Sequence, residues 1–240
     1  MDDLAIVIPC YNENHDSLKK TVEELKSLGA EVIVVDDGSQ VPYPESIKHG
    51  TNFGYGSALM TGIKNATRDL VLTIDGDGQH TVKESVKLYH AFKLMEDADM
   101  VIGVRRLKNE KLLRFLGRKF LNWTASILCT YWISDLNSGA RIFKRDVAIS
   151  YFSILCRTFS FTTSLTISMM ADKRIVEFFP IKIEERNHGK SKVNVFKDGW
   201  ITLYYIVRNG TALRTRPIRS LLRKIPSWNW ITKKGYRSLP

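Results

Sequence analysis

Asp75 and Asp77 stand one residue apart in the run Val71-Leu72-Thr73-Ile74-Asp75-Gly76-Asp77-Gly78-Gln79-His80. Side chains alternate along a strand, but a glycine-rich turn after Ile74 bends both carboxylates toward one point, with Gln79 in reach. Hard oxygen ligands gathered in a loop suit Mg²⁺ or Mn²⁺, with substrate phosphates supplying the remaining positions. Taken alone, the same residues also fit an acidic turn. Two further groups lie just past apolar runs: Tyr11 and Glu13 after Ala5-Ile6-Val7-Ile8-Pro9, and Asp36 and Asp37 after Glu31-Val32-Ile33-Val34-Val35. Asp37 is placed to accept hydrogen bonds from a base or ribose, although an Asp-Gly turn explains it as well. Arg105 follows Met100-Val101-Ile102-Gly103 and offers phosphate a fixed positive charge. Arg186, Lys190 and Lys192 cluster in Arg-Asn-His-Gly-Lys-Ser-Lys, either a basic lid or a solvated loop.

The elements that must position these groups follow from hydrophobic patterning. Residues 5–8, 31–35, 70–74 and 100–103 read as strands without polar alternation. Helices are expected between them: one with Leu18, Val22, Leu25 and Leu28 on its apolar face, one over 57–66, and one over 82–95. Unalternated strands separated by helices mean parallel strands covered on both faces. The expected fold is therefore α/β, an open, mostly parallel doubly wound sheet whose ligands collect at the carboxyl ends of its strands.

With 240 residues, 44% of them hydrophobic and 25% charged, the chain reads as one large globular domain with an appendage. Three cysteines without metal-ligand spacing read as reduced and mostly buried, which fits a cytosolic location. No window reaches the roughly 20 apolar residues of a membrane span, and no secretory segment is expected at the N-terminus. Nine cations and no acid follow Asp198, so residues 1–198 carry only +2 of the net +11. These cations alternate with Trp200, Tyr204, Tyr205, Trp228, Trp230 and Tyr236. The division expected is a catalytic domain over 1–198 and a basic aromatic extension over 199–240. That extension suits an anionic membrane surface, with nucleic acid the less favoured partner and a solvated tail the alternative. Leu112, Leu113, Phe115, Leu116, Phe120, Leu121 and Trp123, interspersed with Lys111, Arg114, Arg118 and Lys119, fit either an interfacial amphipathic helix or a core helix with a basic outer face.

With these residues in view, the chain resembles a family 2 glycosyltransferase of GT-A fold. Within that family it is most similar to dolichyl-phosphate mannose synthases and related polyprenyl-phosphate sugar transferases. The resemblance rests on Val7 to Glu13, Val34 to Ser39, Asn52 to Gly56, Asp75 to His80, Gly103 to Arg105, Asp135-Leu-Asn-Ser-Gly-Ala-Arg141 and Arg186 to Lys192, in family order. It implies inverting transfer of a hexose, mannose or glucose, from a nucleotide diphosphate sugar to a polyprenyl or dolichyl phosphate at the cytosolic membrane face.

By the same resemblance Pro9, Tyr11, Glu13, Val35 and Asp37 line the nucleotide. Asp75, Gly76 and Asp77 match the DxD element, with Asp77 and Gln79 facing the Mg²⁺ or Mn²⁺ ion and Asp75 a third ligand or a partner to sugar or ribose. Arg105, Arg186, Lys190 and Lys192 meet the diphosphate, and His80 reads as a supporting residue. Asp77, Arg105 and Asp135 are the catalytic candidates. The sequence departs from many relatives at Phe159 to Leu165, where a carboxylate base is common, and no acid lies between Asp146 and Asp172. A phosphate acceptor needs no strong base, so this departure favours polyprenyl phosphate over a sugar hydroxyl. Acceptors bearing a sugar or glycolipid hydroxyl, and a non-catalytic nucleotide-sugar binder, are the alternatives.

Overall fold

The computed structural model describes residues 1–105, 112–129, 131–184 and 195–214. Seven strands form one sheet: β1 (Leu4–Cys10), β2 (Glu31–Asp36), β3 (Ser46–Lys48), β4 (Leu70–Thr73), β5 (Met100–Arg105), β6 (Arg141–Lys144) and β7 (Val176–Ile181). Their order is β3-β2-β1-β4-β6-β5-β7, and all pairs are parallel except those of β6, which runs antiparallel between β4 and β5. The helices are α1 (His15–Ser27), α2 (Tyr55–Asn65), α3 (Val82–Leu94), α4 (Leu112–Cys129), α5 (Arg145–Ile149), α6 (Phe161–Ala171) and α7 (Val195–Arg214).

All seven residues of β1 are buried, because α1 and α3 cover one face of the sheet and α2, α4 and α6 the other. Leu18, Val22 and Leu25 are the buried residues of α1, as its periodicity requires. The Asn14 side chain caps α1 by accepting from the Ser17 amide, and Thr81 caps α3 by accepting from Glu84. The patterning located β1, β2, β4 and β5 but not β3, β6 or β7. β6 is four residues long and begins with an arginine, and β7 contains Pro180, which is tolerated because β7 is the sheet edge.

Ten consecutive residues of α6, Phe161 to Met170, are buried. Its serines and threonines remain satisfied by bonding backward, as Thr166 does to the Thr162 carbonyl at 2.9 Å and Ser168 to that of Ser164 at 2.7 Å. A helix buried all round needs a cover, and α7 supplies part of it. Asn209 Nδ2 donates to Ser168 Oγ at 3.0 Å, Ser160 and Thr202 hydroxyls meet at 2.8 Å, and Gly210 lets α7 settle against Leu128 of α4 and Ile167 of α6. Residue 198, where the charge pattern puts a boundary, therefore falls inside a packed helix.

Candidate active site

β1, β2, β4 and β5 deliver their ends to one rim, and the loops there are tied to one another. The Asn12 amide donates to Ser39 Oγ at 2.8 Å, and the Gln40 amide to Asn12 Oδ1 at 2.9 Å. Gly76 lies so close to the loop after β1 that a Cβ there would sit 3.0 Å from the Pro9 carbonyl and 3.7 Å from Glu13 Cγ. Pro9, Glu13 and the 75–77 turn thus share one wall, with half-buried Tyr11 between Cys10 and Asn12 on the same loop.

Asp75 sits at the focus. Tyr55, the first residue of α2, donates its hydroxyl to Asp75 Oδ1 at 2.8 Å, and buried His80 places Nε2 3.4 Å from Oδ2. Burial alone would raise the pKa of this carboxyl. The His80 hydrogen bond and charge, the Tyr55 hydroxyl and the nearby Arg105 outweigh it and hold the value at about 2. Asp75 is therefore ionised at any physiological pH. Burial, reinforced by the same carboxylate, pushes the Tyr55 phenol well above its ordinary range, so Tyr55 stays a donor. Asp77 Oδ1 accepts from the Gln79 amide at 3.1 Å, closing the turn. Gln79 Nε2 reaches the Glu184 carbonyl at 3.4 Å, which commits the amide nitrogen and not the oxygen, the atom a cation would need.

Two carboxylates and an amide oxygen on one turn are a hard donor set. They fit Mg²⁺ or Mn²⁺ when a diphosphate completes the shell. Among the described residues no group of three or more His, Cys, Asp or Glu could hold a metal unaided. Substrate oxygens would thus have to supply part of the coordination.

Opposite Asp75 is the loop 135–140. Arg105 grips Asp135 with Nε to Oδ2 at 2.8 Å and Nη2 to Oδ1 at 3.0 Å. Asp135 has only 2% of its side chain exposed and Arg105 21%. Burial opposes ionisation of Asp135, but the guanidinium overrides it and lowers the pKa. Thr73 on β4 holds the Gly139 carbonyl at 2.7 Å, and Thr163 of α6 donates to Asn137 Oδ1 at 2.7 Å. Gly139 faces Asp75 so closely that a Cβ would lie 2.5 Å from both of its carboxylate oxygens. Fully buried Arg141 locks the loop from behind. It donates to the Leu136 and Ser138 carbonyls, to the Thr162 carbonyl at 2.7 Å and to Thr166 Oγ1 at 2.9 Å. Burial pulls its pKa down to about 10.

The structure thus brings Pro9, Tyr11, Glu13, Asp75, Gly76, Asp77, Gln79, Arg105 and Asp135 to one rim. Val35 does not join them: its side chain is fully buried and packs where Gly62 of α2 approaches the sheet. Asp37 is 3% exposed and has its oxygens turned to the loop before α2. Oδ1 accepts from the Phe53 amide at 2.9 Å and meets His49 Nδ1 at 2.7 Å, and Oδ2 accepts from Gly54 at 2.8 Å. Its neighbour Asp36 is likewise spent on the amides of Ser39 and Tyr43. Arg186, Lys190 and Lys192 lie outside the described residues. The described residues before them run to Glu184, whose amide donates to the Gln79 carbonyl at 3.0 Å. Tyr55, Asn137, Gly139 and Thr163 were not singled out as site residues from sequence. Their partners are 20 to 66 residues away, and only the family motifs around Tyr55 and Gly139 pointed to them.

The model of "Glycosyl transferase family 2" matches residues 5–161. The chain belongs to that family. Among curated relatives, the uncharacterized protein MJ1222 of Methanocaldococcus jannaschii is 35% identical over 164 residues, 61% of this chain and 67% of its own. The undecaprenyl-phosphate 4-deoxy-4-formamido-L-arabinose transferase of Edwardsiella ictaluri is 28% identical over 237 residues, covering 91% of this chain and 70% of the relative. A crystal structure of glucosyl-3-phosphoglycerate synthase from Mycobacterium tuberculosis with Mn²⁺, UDP-glucose and phosphoglyceric acid superposes with a TM-score of 0.69. That match is at 16% identity and covers 87% of this chain and 79% of the other. The fold is thus the GT-A type of this glycosyltransferase family, with β6 as its antiparallel insert.

Proposed function

We propose that this glycosyltransferase moves a hexose from a nucleotide diphosphate sugar to a polyprenyl phosphate at the cytosolic face of a membrane, using Mg²⁺ or Mn²⁺. The observation that carries the acceptor assignment is the state of Asp135. With the α6 segment free of acids, Asp135 is, among the described rim carboxylates, the candidate base to which no metal or nucleotide role is given. It is held by both oxygens on Arg105, with its pKa lowered. A carboxylate so stabilised is a poor acceptor for a hydroxyl proton. A phosphate monoester is already anionic near neutral pH and brings no proton that must be removed. The E. ictaluri relative, which matches along 91% of this chain, has a polyprenyl phosphate in its name.

In this reading a phosphate oxygen of the acceptor attacks the anomeric carbon from the face opposite the diphosphate. The bond from that carbon to the diphosphate oxygen breaks, and configuration inverts. Asp77, Gln79 and Asp75 would hold the divalent ion, which would supply neutralising charge for the leaving diphosphate. Arg105, oriented by Asp135, and the basic residues Arg186, Lys190 and Lys192 add fixed positive charge there. The Tyr55–Asp75–His80 contacts keep one carboxylate ionised and immobile beside the sugar, at no cost of reorganisation during transfer. Pro9, Tyr11 and Glu13 form the wall for the nucleotide.

The test is a donor panel. Radiolabelled GDP- and UDP-sugars, Mn²⁺ and vesicles containing polyprenyl phosphate are expected to yield an organic-extractable, acid-labile product. No lipid-linked label with any donor would overturn the assignment.

A further inference from the structure

The loop between β3 and α2 sets one aromatic ring at the mouth of the donor site. Phe53 is 57% exposed, and its amide donates to Asp37 Oδ1 at 2.9 Å. Asp37 in turn is tied to the wall that carries Pro9 and Tyr11, because its own amide donates to the Cys10 carbonyl at 2.8 Å. Further contacts fix the loop in place. Gly54, at φ +100°, donates to Asp37 Oδ2 and lies so close to the Arg157 carbonyl that a Cβ would sit 2.9 Å from it. Gly38, at φ +79°, packs directly on the Thr51 backbone. The His49 ring stands T-shaped to that of Phe53 with centroids 5.3 Å apart. His49 is itself held at both nitrogens, by Asp37 Oδ1 at 2.7 Å and Thr61 Oγ1 at 3.0 Å. A ring presented on so clamped a loop loses little freedom when a ligand covers it.

The polar groups beside this ring are committed elsewhere. Uracil and guanine both carry ring N–H donors, which a site reads with side-chain acceptors. At the end of β2 those acceptors take the amides of the rim itself. Asp36 accepts from Ser39 and Tyr43, and Asp37 from Phe53 and Gly54. Ser39 Oγ accepts from Asn12, and Asn12 Oδ1 from Gln40. With His49 included, Asp37 has three of its roughly four lone-pair positions filled, and it is only 3% exposed. Glu13 lies toward the metal turn, its Cγ 3.7 Å from where a Gly76 Cβ would be, at the diphosphate end of the wall. What the β2 end of the cleft offers a base is an aromatic face.

We propose that Phe53 is the platform on which the donor's base stacks, so that the site holds nucleoside diphosphates by the π-face of the base and accepts uracil and guanine alike. The inference deepens the donor reading given above and rests on it. Every base has a π-face, and stacking one base on an aromatic side chain contributes roughly 5- to 150-fold in affinity. A site built to hydrogen-bond a base edge instead rejects an analogue lacking that donor by about 10⁴-fold. The two modes differ by orders of magnitude in what they discriminate.

The experiment measures binding of UDP, GDP, 3-methyl-UDP and 5,6-dihydro-UDP to the full chain with Mn²⁺ by isothermal titration calorimetry. UDP and GDP are expected to bind within about tenfold of each other, and 3-methyl-UDP, which has no N3–H, within about threefold of UDP. The saturated, puckered base of 5,6-dihydro-UDP should weaken binding by about fivefold or more. Phe53→Leu should weaken UDP and GDP to a similar extent and erase the difference between UDP and its dihydro analogue, whereas Phe53→Tyr keeps both the affinity and the difference. A preference for one base well above about tenfold, loss of 3-methyl-UDP binding, or unchanged affinity in a folded Phe53→Leu protein would each overturn the proposal. Failure of every nucleotide to bind the unaltered chain would instead overturn the donor reading, and this inference with it.

Discussion

Replacing Arg105 by alanine leaves Asp135 as a carboxylate with 2% side-chain exposure and no bidentate cation. Removing one partner of a buried ion pair costs about 3–5 kcal/mol, because the other charge remains desolvated. Since Arg105 is itself 21% exposed, a loss near the lower end, about 3 kcal/mol, is expected in urea unfolding at pH 8. The pH dependence gives a sharper signature. In the native protein the Asp135 pKa is lowered. Its contribution is therefore fully present above the unfolded value of about 3.9 and is lost as pH falls below it. Without the Arg105 guanidinium, burial is opposed only by the residue-105 amide and by Arg118, so the pKa rises, and once it passes the unfolded value the sign reverses: stability decreases as pH rises through the new value. The deficit of Arg105→Ala should accordingly be smaller at pH 5 than at pH 8. Arg105→Met with Asp135→Leu should be less destabilised than Arg105→Ala, because neither charge is left buried. A deficit below about 1 kcal/mol, equal deficits at both pH values, or additive single and double effects would refute the buried-pair account.

Asp77→Ala should abolish sugar transfer and Mn²⁺-dependent nucleotide binding while costing about 1 kcal/mol of stability, the worth of the bond to the Gln79 amide; retained activity in the donor panel would remove the metal assignment. Gly139→Ala places a methyl group 2.5 Å from both Asp75 oxygens, so it should lower kcat by at least tenfold and stability by about 1–3 kcal/mol, as calorimetry and initial rates would show. Truncation after Arg214 should weaken flotation with anionic vesicles at low salt, and unchanged flotation would refute the membrane role of the basic extension. Truncation after Asp198 should unfold the protein, because it uncovers α6 and orphans the partners of Thr202 and Asn209; a folded product by circular dichroism would contradict the packing role of α7.

Local chemistry made much of this protein legible from its residues in order. Four strands announced themselves because a strand buried on both faces must be apolar at every position, and β1 is. The turn at 75–79 stood out because two carboxylates and a glutamine spaced by two glycines are hard donors, yet alone they fit an acidic turn as well, and only the ordered motifs around them favoured the ligand reading. β6 and β7 were not readable. One opens on an arginine whose burial is tolerated only because four carbonyl and hydroxyl groups from α6 and the 136–138 loop converge on it, and the other holds a proline that only an edge permits.

Sequence by itself determined the kind of chemistry and the rim on which it sits, since residue type and strand-end position are local properties. Tertiary structure alone decided which donors each carboxylate meets. Asp36 and Asp37 end a strand as Asp75 does, yet their oxygens meet the amides of nearby loops and, for Asp37, the His49 ring. Asp75 and Asp135 find their donors in Tyr55, His80 and Arg105, none of which is adjacent to its partner in sequence. Whether a carboxylate is a ligand, a turn or half of an ion pair depends on which donors surround it, and folding, by bringing distant segments together, chooses those donors.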